Sequence, residues 1–306
     1  MTSFKESIVQ ESSRLGFTSC GFARAEPLQK RKEFYRSFVA AGRQGELGYL
    51  KSQMEKRLDP RLVMPEAKSV ITVLRNYYPP ETIPVEDNFI ISRYAYGSDH
   101  HPFMRKKLKA LSDFILSQNP GTITKHFIDS GVLLEKYWAQ QCGAGWQGKN
   151  TLLINKHRGS FFFIGIILTS LELEADTPET DHCGTCDRCS KACPTHALDT
   201  PYQLEITRCL SYHTIETKGD FPEEFRPVQM DRIYGCDICQ DACPFNRKAT
   251  PHDAPELMPS EELKRLRKPD WRKMTEEDFI LIFRKSAIQR TGYRKMMGNL
   301  PEQADK

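Results

Sequence analysis

The sequence contains few of the features that place a protein in a membrane, on an export pathway or around a nucleotide. Its longest apolar run, Phe161–Leu168, is too short to span a bilayer. The residues Met1–Ser7 show neither an apolar signal pattern nor a twin arginine, so we expect a cytoplasmic protein in a reducing compartment, with no membrane partner. No Gly-x-Gly-x-x-Gly follows a predicted strand and no Walker A run is present, which leaves nucleotide cofactors without support.

The first part of the chain alternates between helical and strand patterns. A capping-box pattern at Ser3–Glu6 opens a helix that Gly16 ends, and a strand is predicted at Phe17–Ala23. The strands are too apolar to face water on either side, and residues 1–179 are therefore predicted to form an α/β domain. Its other predicted elements are helices at Pro27–Gly42, after Pro102 and at Val132–Cys142, and strands at Val70–Leu74, Ile123–Ile128, Thr151–Asn155 and Phe161–Thr169.

Two further units are predicted after an acidic linker at Glu172–Asp181. Residues 180–251 are rich in cysteine and turns, and we expect them to need a metal centre to fold. Residues 252–306 are predicted to form a short helical tail with an acidic first turn at Thr275–Asp278 and an apolar face made by Phe279, Ile282, Phe283 and Ile288. Lys264–Lys295 holds 11 Lys and Arg against 4 acids, which is typical of a phosphate-binding surface or of a solvated basic helix.

The cysteines follow the spacing of bacterial two-cluster ferredoxins. The run Cys183-x2-Cys186-x2-Cys189-x3-Cys193-Pro194 has the pattern in which three thiolates hold one 4Fe-4S cluster and the fourth crosses to the other. A second run, Cys236-x2-Cys239-x3-Cys243-Pro244, is one ligand short, and Cys209 is the natural replacement. Two sets are thus predicted, one of Cys183, Cys186, Cys189 and Cys243 and one of Cys193, Cys209, Cys236 and Cys239.

Structural zinc is the alternative for these cysteines, but it favours Cys-x2-Cys pairs separated by a dozen or more residues. Crossed ligation would keep the two clusters close enough for fast electron transfer. Cys20 and Cys142 fall outside both sets and are predicted to be small buried apolar side chains. The cysteine pattern therefore predicts a ferredoxin-like domain with two 4Fe-4S clusters.

Several motifs resemble those of epoxyqueuosine reductases, a family of cobalamin-dependent tRNA-modifying enzymes. The resemblance covers nearly the whole chain, with two departures: His100 stands where a tyrosine is expected before His101, and the sequence does not include the C-terminal helical repeats of many members. The motifs that carry it are Asp129–Lys136, Gly143–Thr151, Gly159–Phe163, Lys56–Pro60, Arg208–Gly219, Tyr234–Asn246 and Phe283–Ala287.

The resemblance implies that the epoxide oxygen of epoxyqueuosine at the tRNA wobble position is removed reductively, giving queuosine. Electrons would pass from an external donor through the two clusters to the cobalt of cobalamin. The departing oxygen needs a proton, and Asp129 is the implied acid, which we expect to be buried away from positive charge so that its pKa is raised. Without the resemblance, Asp129 or Ser130 would be interpreted as the N-cap of the next helix.

The resemblance also implies contacts to cobalamin and to RNA. His213 and Lys218 could face either ligand, Lys149 could instead form a surface salt bridge, and Phe161 could instead pack in the core. The implied cobalamin contacts are Arg57, Asp129, Lys149, Asn150, Ser160, Phe161, Ser211, Asp237 and Ile238. The basic residues predicted to contact tRNA are Arg284, Lys285, Arg290, Arg294 and Lys295, with His213 and Lys218.

Two other functions fit part of the sequence. A corrinoid reductive dehalogenase also combines a cobalamin domain with two clusters, but it is typically exported, is expected to use a tyrosine as its acid and has no need of a basic tail. A plain two-cluster electron carrier explains the cysteines alone. Bound corrinoid would exclude the carrier, and turnover of tRNA rather than organohalides would exclude the dehalogenase.

Overall fold

The computed structural model describes residues 3–129 and 131–302. Ser3 and Glu6 form the predicted capping box, and each element predicted up to residue 169 is present with ends shifted by a few residues. The helices of this part are α1 (Phe4–Arg14), α2 (Gln29–Ala40), α3 (Gly48–Lys51), α4 (Met54–Leu58), α5 (His100–Gln118) and α6 (Glu135–Gln141). The strands are β1 (Ser19–Arg24), β2 (Ser69–Asn76), β3 (Ile90–Ile91), β4 (Thr124–Phe127), β5 (Trp146–Gln147), β6 (Leu153–Ile154) and β7 (Phe162–Thr169).

The start of α5 differs from the sequence-based expectation in a way that shapes the site. The sequence predicts a helix after Pro102, but the helix begins two residues earlier. Asp99 is its N-cap, because one carboxylate oxygen accepts a hydrogen bond from the backbone N–H of His101 at 3.0 Å. Pro102 fits within the first helical turn, where a missing N–H costs nothing.

Four strands form one sheet in the order β1-β2-β7-β4, with every neighbouring pair antiparallel. The alternation of helices and strands along the sequence left the strand directions open. All residues of β2 and β7 are buried, as their apolar character predicted. Helices α1 and α5 cover one face of the sheet and α6 covers the other. Gly21 permits this close packing, since a side chain there would overlap the carbonyl oxygen of Cys142.

Residues 170–302 contain short elements and one further strand. Strand β8 (Arg232–Tyr234) pairs in parallel with β3, which joins the cysteine-rich segment to the first part of the chain. The helices are α7 (Arg188–Ala192), α8 (Leu210–Ile215), α9 (Arg226–Gln229), α10 (Ile238–Asp241), α11 (Glu261–Arg265), α12 (Lys268–Lys273), α13 (Glu276–Phe283) and α14 (Tyr293–Gly298).

The tail packs against both preceding segments. Thr275 caps α13 with the predicted acidic first turn, and Phe279, Phe283 and Ile288 are buried while Ile282 is partly buried. Their core also contains side chains from residues 83–96 and from β8, so one apolar cluster crosses the predicted limits at 179 and 251. The division into units 1–179, 180–251 and 252–306 stays a prediction.

No helix within residues 3–129 and 131–302 combines the length and the apolar character needed to cross a membrane.

Candidate active site

The site is built on the sharp turn that follows β4. Asp129 has a φ of 43°, in the left-handed region that aspartate tolerates better than most residues. Phe127 pairs with Ile166 in the antiparallel register, so the chain beyond β4 runs toward the Phe163 end of β7. The interpretation of Asp129 as a helix N-cap is wrong, because α6 begins at Glu135 and Leu134 is its N-cap. Ser130, the alternative cap, lies outside the described residues.

Two adjacent histidines from the start of α5 meet this turn. The Oδ2 atom of Asp129 lies 2.5 Å from Nε2 of His100 and 3.5 Å from Nε2 of His101. The His100 ring is only 4% exposed and stacks on the Phe163 ring, with centroids 4.1 Å apart and planes 2° from parallel. The Asp129 side chain is 47% exposed. The carboxylate is therefore accessible on one side and held by a fixed imidazole on the other.

A second carboxylate extends this cluster toward the tail. Oδ1 of Asp99 lies 2.9 Å from Nδ1 of His101, and Oδ2 lies 3.2 Å from Nη1 of Arg290. The same Nη1 atom lies 2.6 Å from Nδ1 of His101. Burial alone would raise the pKa of Asp99, but the bonds from His101 and the charge of Arg290 lower it to about 2. Asp99 therefore stays ionised and positions both His101 and Arg290.

The electrostatic environment of Asp129 corrects the sequence-based expectation. Burial acts to raise its pKa, but the hydrogen bond with His100 and the charges of His100, His101 and Arg290 outweigh burial and lower the pKa. The expectation of a raised pKa is therefore wrong for the protein alone. The pKa is lowered because two imidazoles lie beside Asp129, a contact that could not be predicted from the sequence.

Asp129 contributes to the wall of an open cavity between α2, α6 and residues 202–206. Arg57, 5% exposed, donates to the carbonyl oxygen of Tyr49 at 2.8 Å, while its Nε finds no partner among the described residues. The Oε1 atom of Glu135 also lacks one there, and burial, with the charge of Asp129, raises the pKa of Glu135 well above its usual value. The cavity thus offers polar atoms within an apolar wall that includes Phe34, Tyr35, Phe38, Tyr49, Leu133, Leu134 and Tyr137.

The first predicted cysteine set surrounds one small cavity. Trp146 donates its indole N–H to Sγ of Cys183 at 3.4 Å, a contact suited to a thiolate. Four thiols around one space, with a donor aimed at a sulfur, are a donor set that fits a 4Fe-4S cluster. The cavity is lined by Cys183, Cys186, Cys189 and Cys243 together with Lys149, Asn150, Ile154, Pro244 and Phe245.

The second predicted set is also brought together. Burial raises the pKa of Cys239 well above its usual value, and the charges of Cys236, Cys209 and Cys193 raise it further. Burial likewise raises the pKa of Cys236 to about 12. Four thiols that raise one another's pKa are unfavourable as free thiolates and suit a shared metal centre, which needs them deprotonated.

The second set lies close to the cavity. Burial lowers the pKa of Lys136, on the cavity wall, and the charges of Glu135, Asp129, Cys239 and Cys209 act in the opposite direction. One ammonium group is thus within electrostatic reach of both the site and the second cysteine set.

The predicted cobalamin contacts on the glycine-rich turn have protein partners. Nζ of Lys149 donates to the carbonyl oxygens of Gly184 at 2.6 Å and Cys186 at 2.9 Å. Asn150, 4% exposed, donates to the carbonyl oxygen of Cys239 at 3.4 Å. Both side chains therefore fasten the cysteine loops to the sheet-bearing part of the chain, and a corrin contact through them stays a prediction.

Ser160 and Phe161 serve the same junction. The Ser160 hydroxyl accepts from Gln240 at 3.1 Å and from Asn246 at 3.0 Å. Phe161 is 1% exposed and packs on the ring of Tyr78 with centroids 4.9 Å apart, which supports its alternative interpretation as a core residue. A corrin contact through this pair also stays a prediction.

The remaining candidates of the cysteine-rich segment are distributed over two elements. Asp237 precedes α10, which begins at Ile238, and accepts hydrogen bonds from the hydroxyl of Ser92 and from the backbone N–H of Arg93. Ser211 lies on α8 with His213. His213 is 7% exposed and donates to the carbonyl oxygen of Thr207 at 2.7 Å, so little of its ring is left for RNA. Lys218 is exposed.

The basic residues of the tail divide into two groups. Arg284, Lys285 and Arg294 are exposed. Arg290 instead pairs with Asp99 at the site, and Lys295 donates to Oγ1 of Thr217 at 2.8 Å and to the carbonyl oxygen of Gly219 at 2.7 Å. Three of the five predicted tail contacts are therefore free to meet a phosphate backbone, and two hold the tail in place.

Two family models match this sequence. The model of the 4Fe-4S double cluster binding domain matches residues 182–246, and the model described as Epoxyqueuosine reductase QueG, DUF1730, matches residues 57–130. An epoxyqueuosine reductase of Cellulophaga algicola is 42% identical over 96% of this chain and 95% of its own length. The chain belongs to the epoxyqueuosine reductase family. The member from Escherichia coli is 33% identical over 96% of this chain and 79% of its own.

Solved structures of the family share this fold. The crystal structure of epoxyqueuosine reductase with a tRNA-Tyr epoxyqueuosine-modified stem loop matches with a TM-score of 0.90 and 30% identity, over 96% of this chain and 79% of that one. The Bacillus subtilis epoxyqueuosine reductase with its aspartate-bearing catalytic loop swung out of the active site matches with a TM-score of 0.88, 30% identity and the same two coverages.

Several residues of the site are not predicted from the sequence. His100 differs there only as a departure from the family pattern, and no sequence signal identifies Asp99 or Glu135 as site residues. The signal for the histidines was the Asp-His-His run at a helix start, where an acidic N-cap holds neighbouring side chains. The cavity aromatics of α2 gave no distinguishing signal, because a helix that packs on a core carries the same pattern.

Proposed function

We propose that this chain removes the epoxide oxygen of epoxyqueuosine in tRNA to give queuosine, using cobalamin and two 4Fe-4S clusters. The observation that carries the proposal is the position of Asp129, at the wall of a cavity with the second cysteine set close behind it. The choice of substrate rests on the family, since a relative named epoxyqueuosine reductase is 42% identical to this chain over 95% of the relative's own length.

The cavity beside Asp129 suits cobalamin. Its aromatic and aliphatic walls can pack on the flat faces of a corrin, and the unpartnered polar atoms of Arg57 and Glu135 can meet the polar edge. Bound cobalamin supplies a strongly reducing cobalt centre able to break a carbon–oxygen bond. The chain itself supplies the binding surface and the proton.

Asp129 is the group placed to provide that proton. Removal of the epoxide oxygen as water consumes two electrons and two protons, and each carbon–oxygen bond that breaks leaves charge on oxygen. The half-exposed carboxyl faces the cavity from a turn after a strand. The relative from Bacillus subtilis has an aspartate-bearing catalytic loop, which supports the same role for Asp129.

The cysteine sets define the electron path. The second set lies within electrostatic reach of Lys136 on the cavity wall, so its cluster would deliver electrons to the cavity. The first set would receive them from an external one-electron donor. We also propose that the protein works in the cytoplasm, where tRNA modification and reduced donors are available.

The tail provides a surface for the tRNA substrate. Arg284, Lys285 and Arg294 are exposed, and Lys218 is exposed on the segment to which Lys295 binds. Basic side chains of this kind contact phosphates and give salt-dependent affinity. The complex of a family member with a modified tRNA stem loop supports such a role.

The proposal is tested by turnover of defined substrates. Anaerobically purified protein, loaded with cobalamin and supplied with a one-electron reductant, is incubated with tRNA that carries epoxyqueuosine, and the digested nucleosides are separated by mass. Queuosine should appear only with cobalamin present. Conversion of a halogenated phenol instead would favour a dehalogenase, and absence of corrinoid binding would favour an electron carrier.

A further inference from the structure

The histidine that contacts Asp129 has no role in the mechanism above. We propose that His100 and Asp129 act as a pair that carries one proton between them, with Asp129 as the acid that touches substrate and His100 as the residue that keeps the acid supplied. The inference deepens the proposed function and rests on it. It concerns the source of the proton, which the position of Asp129 alone does not provide.

The surrounding structure holds the His100 ring in a fixed position against Asp129. Its Nε2 lies 2.5 Å from Oδ2 of Asp129, within hydrogen-bond distance, so a proton on one group can bond to the other. The stack on Phe163 and the 4% exposure of the ring fix its orientation. The turn at Asp129, with its φ of 43°, aims the carboxylate at the ring. Helix α5 and strand β7 thus both position the contact.

Asp129 needs such a partner to act as an acid near neutral pH. Its hydrogen bond with His100 and the charges of His100, His101 and Arg290 lower its pKa, so within this cluster the carboxyl is ionised near neutral pH and must take the proton it gives from a neighbouring group. Histidine is the side chain that ordinarily gains and loses a proton close to neutral pH. A proton held between the two groups can pass to the departing oxygen, after which the imidazole is neutral and the carboxylate remains.

The other groups around His100 agree with this assignment. Asp99 places Oδ1 3.8 Å from Nδ1 of His100, close enough to stabilise a positive ring. Nδ1 itself is buried without a hydrogen-bond partner among the described residues. The remaining faces meet His101, with ring centroids 4.3 Å apart, the edge of Tyr94 at 6.2 Å and the uncharged Phe163 ring.

The polar and charged groups that lie farther from His100 interact with other residues. Arg290 binds Asp99 and His101, and the Tyr94 hydroxyl donates to the hydroxyl of Tyr234 at 3.1 Å. Glu135 responds to the charge of Asp129, and its pKa is raised. Asp129 is therefore the group in hydrogen-bond contact with His100, and Asp99 the nearest second carboxylate.

The chemical step balances with one proton. As a carbon–oxygen bond of the epoxide breaks, Asp129 gives a proton to the departing oxygen and receives the one held by His100. The pair changes from a protonated imidazole with a carboxylate to a neutral imidazole with a carboxylate. The two electrons needed for each oxygen removed would come from the external one-electron donor by way of the predicted clusters, and the second proton comes from solvent.

The test compares His100→Gln and His100→Phe with the native enzyme. Glutamine keeps an N–H donor toward Asp129 but cannot carry a proton, and phenylalanine keeps the ring on Phe163. At pH 7.5 we expect kcat to fall at least about tenfold in both, with KM for tRNA within about twofold. In the native enzyme kcat should fall as pH rises through the range where imidazoles titrate, and in His100→Gln this fall should move to more acidic pH.

A binding measurement provides a readout that needs no turnover. Without reductant, affinity for a stem loop carrying epoxyqueuosine is compared with affinity for one carrying queuosine, from pH 5.5 to pH 8.5. The native protein should prefer the epoxide more strongly at low pH, because a proton on the pair can bond to the epoxide oxygen. His100→Gln should lose this pH dependence. His157→Gln, an exposed histidine in a turn, is the matched control and should behave as native.

The outcomes separate this inference from the proposed function. If native enzyme converts epoxyqueuosine while both His100 variants keep native kcat and pH profile, the pair is wrong and the function stands. The same conclusion follows if the variants change only KM. If native enzyme shows neither turnover nor any preference for the epoxide, the proposed function fails first. Iron content and melting temperature confirm that each variant is folded.

Discussion

Two aspartates near the junction of the sheet and the cysteine-rich segment have opposite surroundings. The Asp129 side chain is 47% exposed, lines the cavity and meets two imidazoles. The Asp237 side chain is 10% exposed and accepts bonds from Ser92 and from the backbone and side chain of Arg93. One carboxylate is open to a ligand, and the other is bonded to a second segment of the chain.

This difference shows how the molecule separates its two tasks. Hydrogen bonds and solvent exposure tune a cluster's potential, and on the Asp237 side bonds from Ser92 and Arg93 fix the chain beside Cys236, a member of the second cysteine set. Proton transfer needs a carboxyl that reaches substrate, and the exposed Asp129 turn supplies it. A variant that disrupts the region of the cysteine sets and Asp237 should therefore leave the Asp129 turn intact, and a variant of the Asp129 turn should leave the cysteine sets intact.

The largest effect is expected from Cys209→Ser, which removes one predicted ligand of the second cysteine set. Loss of one ligand should remove one cluster, lowering iron from about eight to about four per chain and turnover to background. Iron analysis and electron paramagnetic resonance measure this. Cys20→Ser is the control, because Cys20 lies outside both cysteine sets, and its iron content should stay native. Native iron in Cys209→Ser would contradict the predicted ligand sets.

The next largest effect is expected from Asp129→Asn, which removes the carboxyl group at the cavity. The amide keeps the size of the side chain but has no acidic proton to give, so kcat should fall on the order of 100-fold. Iron content, cobalamin affinity and melting temperature should remain native. Near-native turnover by this variant would remove Asp129 as the proton donor and direct attention to Glu135, whose pKa is raised by burial and by the charge of Asp129.

The two regions also differ in how far they can be predicted from the sequence. The cysteine spacing follows a recurrent ferredoxin motif, so the two predicted ligand sets could be grouped from the sequence alone, and the fold brings each set together. The pair of His100 and Asp129 depends on the start of α5 meeting the end of β4, 29 residues apart, and no local pattern encodes that contact.

Helices and strands were predictable where their signals were strong. The capping box at Ser3, the acidic first turn at Thr275–Asp278 and the apolar strands β2 and β7 appear as expected. Strand direction and the two-residue strands β3 and β5 were not predictable, because they form through tertiary pairing rather than local preference. The pairing of β3 with β8 is also why one core crosses the predicted unit limits.

A smaller effect is expected from Asp237→Asn, which tests whether this aspartate is purely structural. The amide weakens the bonds to Ser92 and Arg93 in a buried position, which should cost about 1–3 kcal/mol of stability. Denaturant unfolding under anaerobic conditions measures the loss. The kcat of the folded, iron-loaded fraction should stay within about twofold of native. A loss of kcat as large as that of Asp129→Asn would end the distinction between the two aspartates.

The smallest effect is expected at the RNA surface, which lies outside both regions. Replacing Arg284, Lys285 and Arg294 with glutamine should weaken tRNA binding a few-fold at moderate salt, because each lost phosphate contact reduces the slope of log affinity against log salt by about 0.7–0.9. Arg290 and Lys295 are left unchanged, since they bind Asp99 and the Thr217–Gly219 loop and their loss would disturb the site. The control replaces Lys68, Lys109 and Lys191, three exposed lysines outside the tail, and should keep the native slope. An equal change of slope in both triple variants would show that the tail has no special role and that tRNA responds only to total charge.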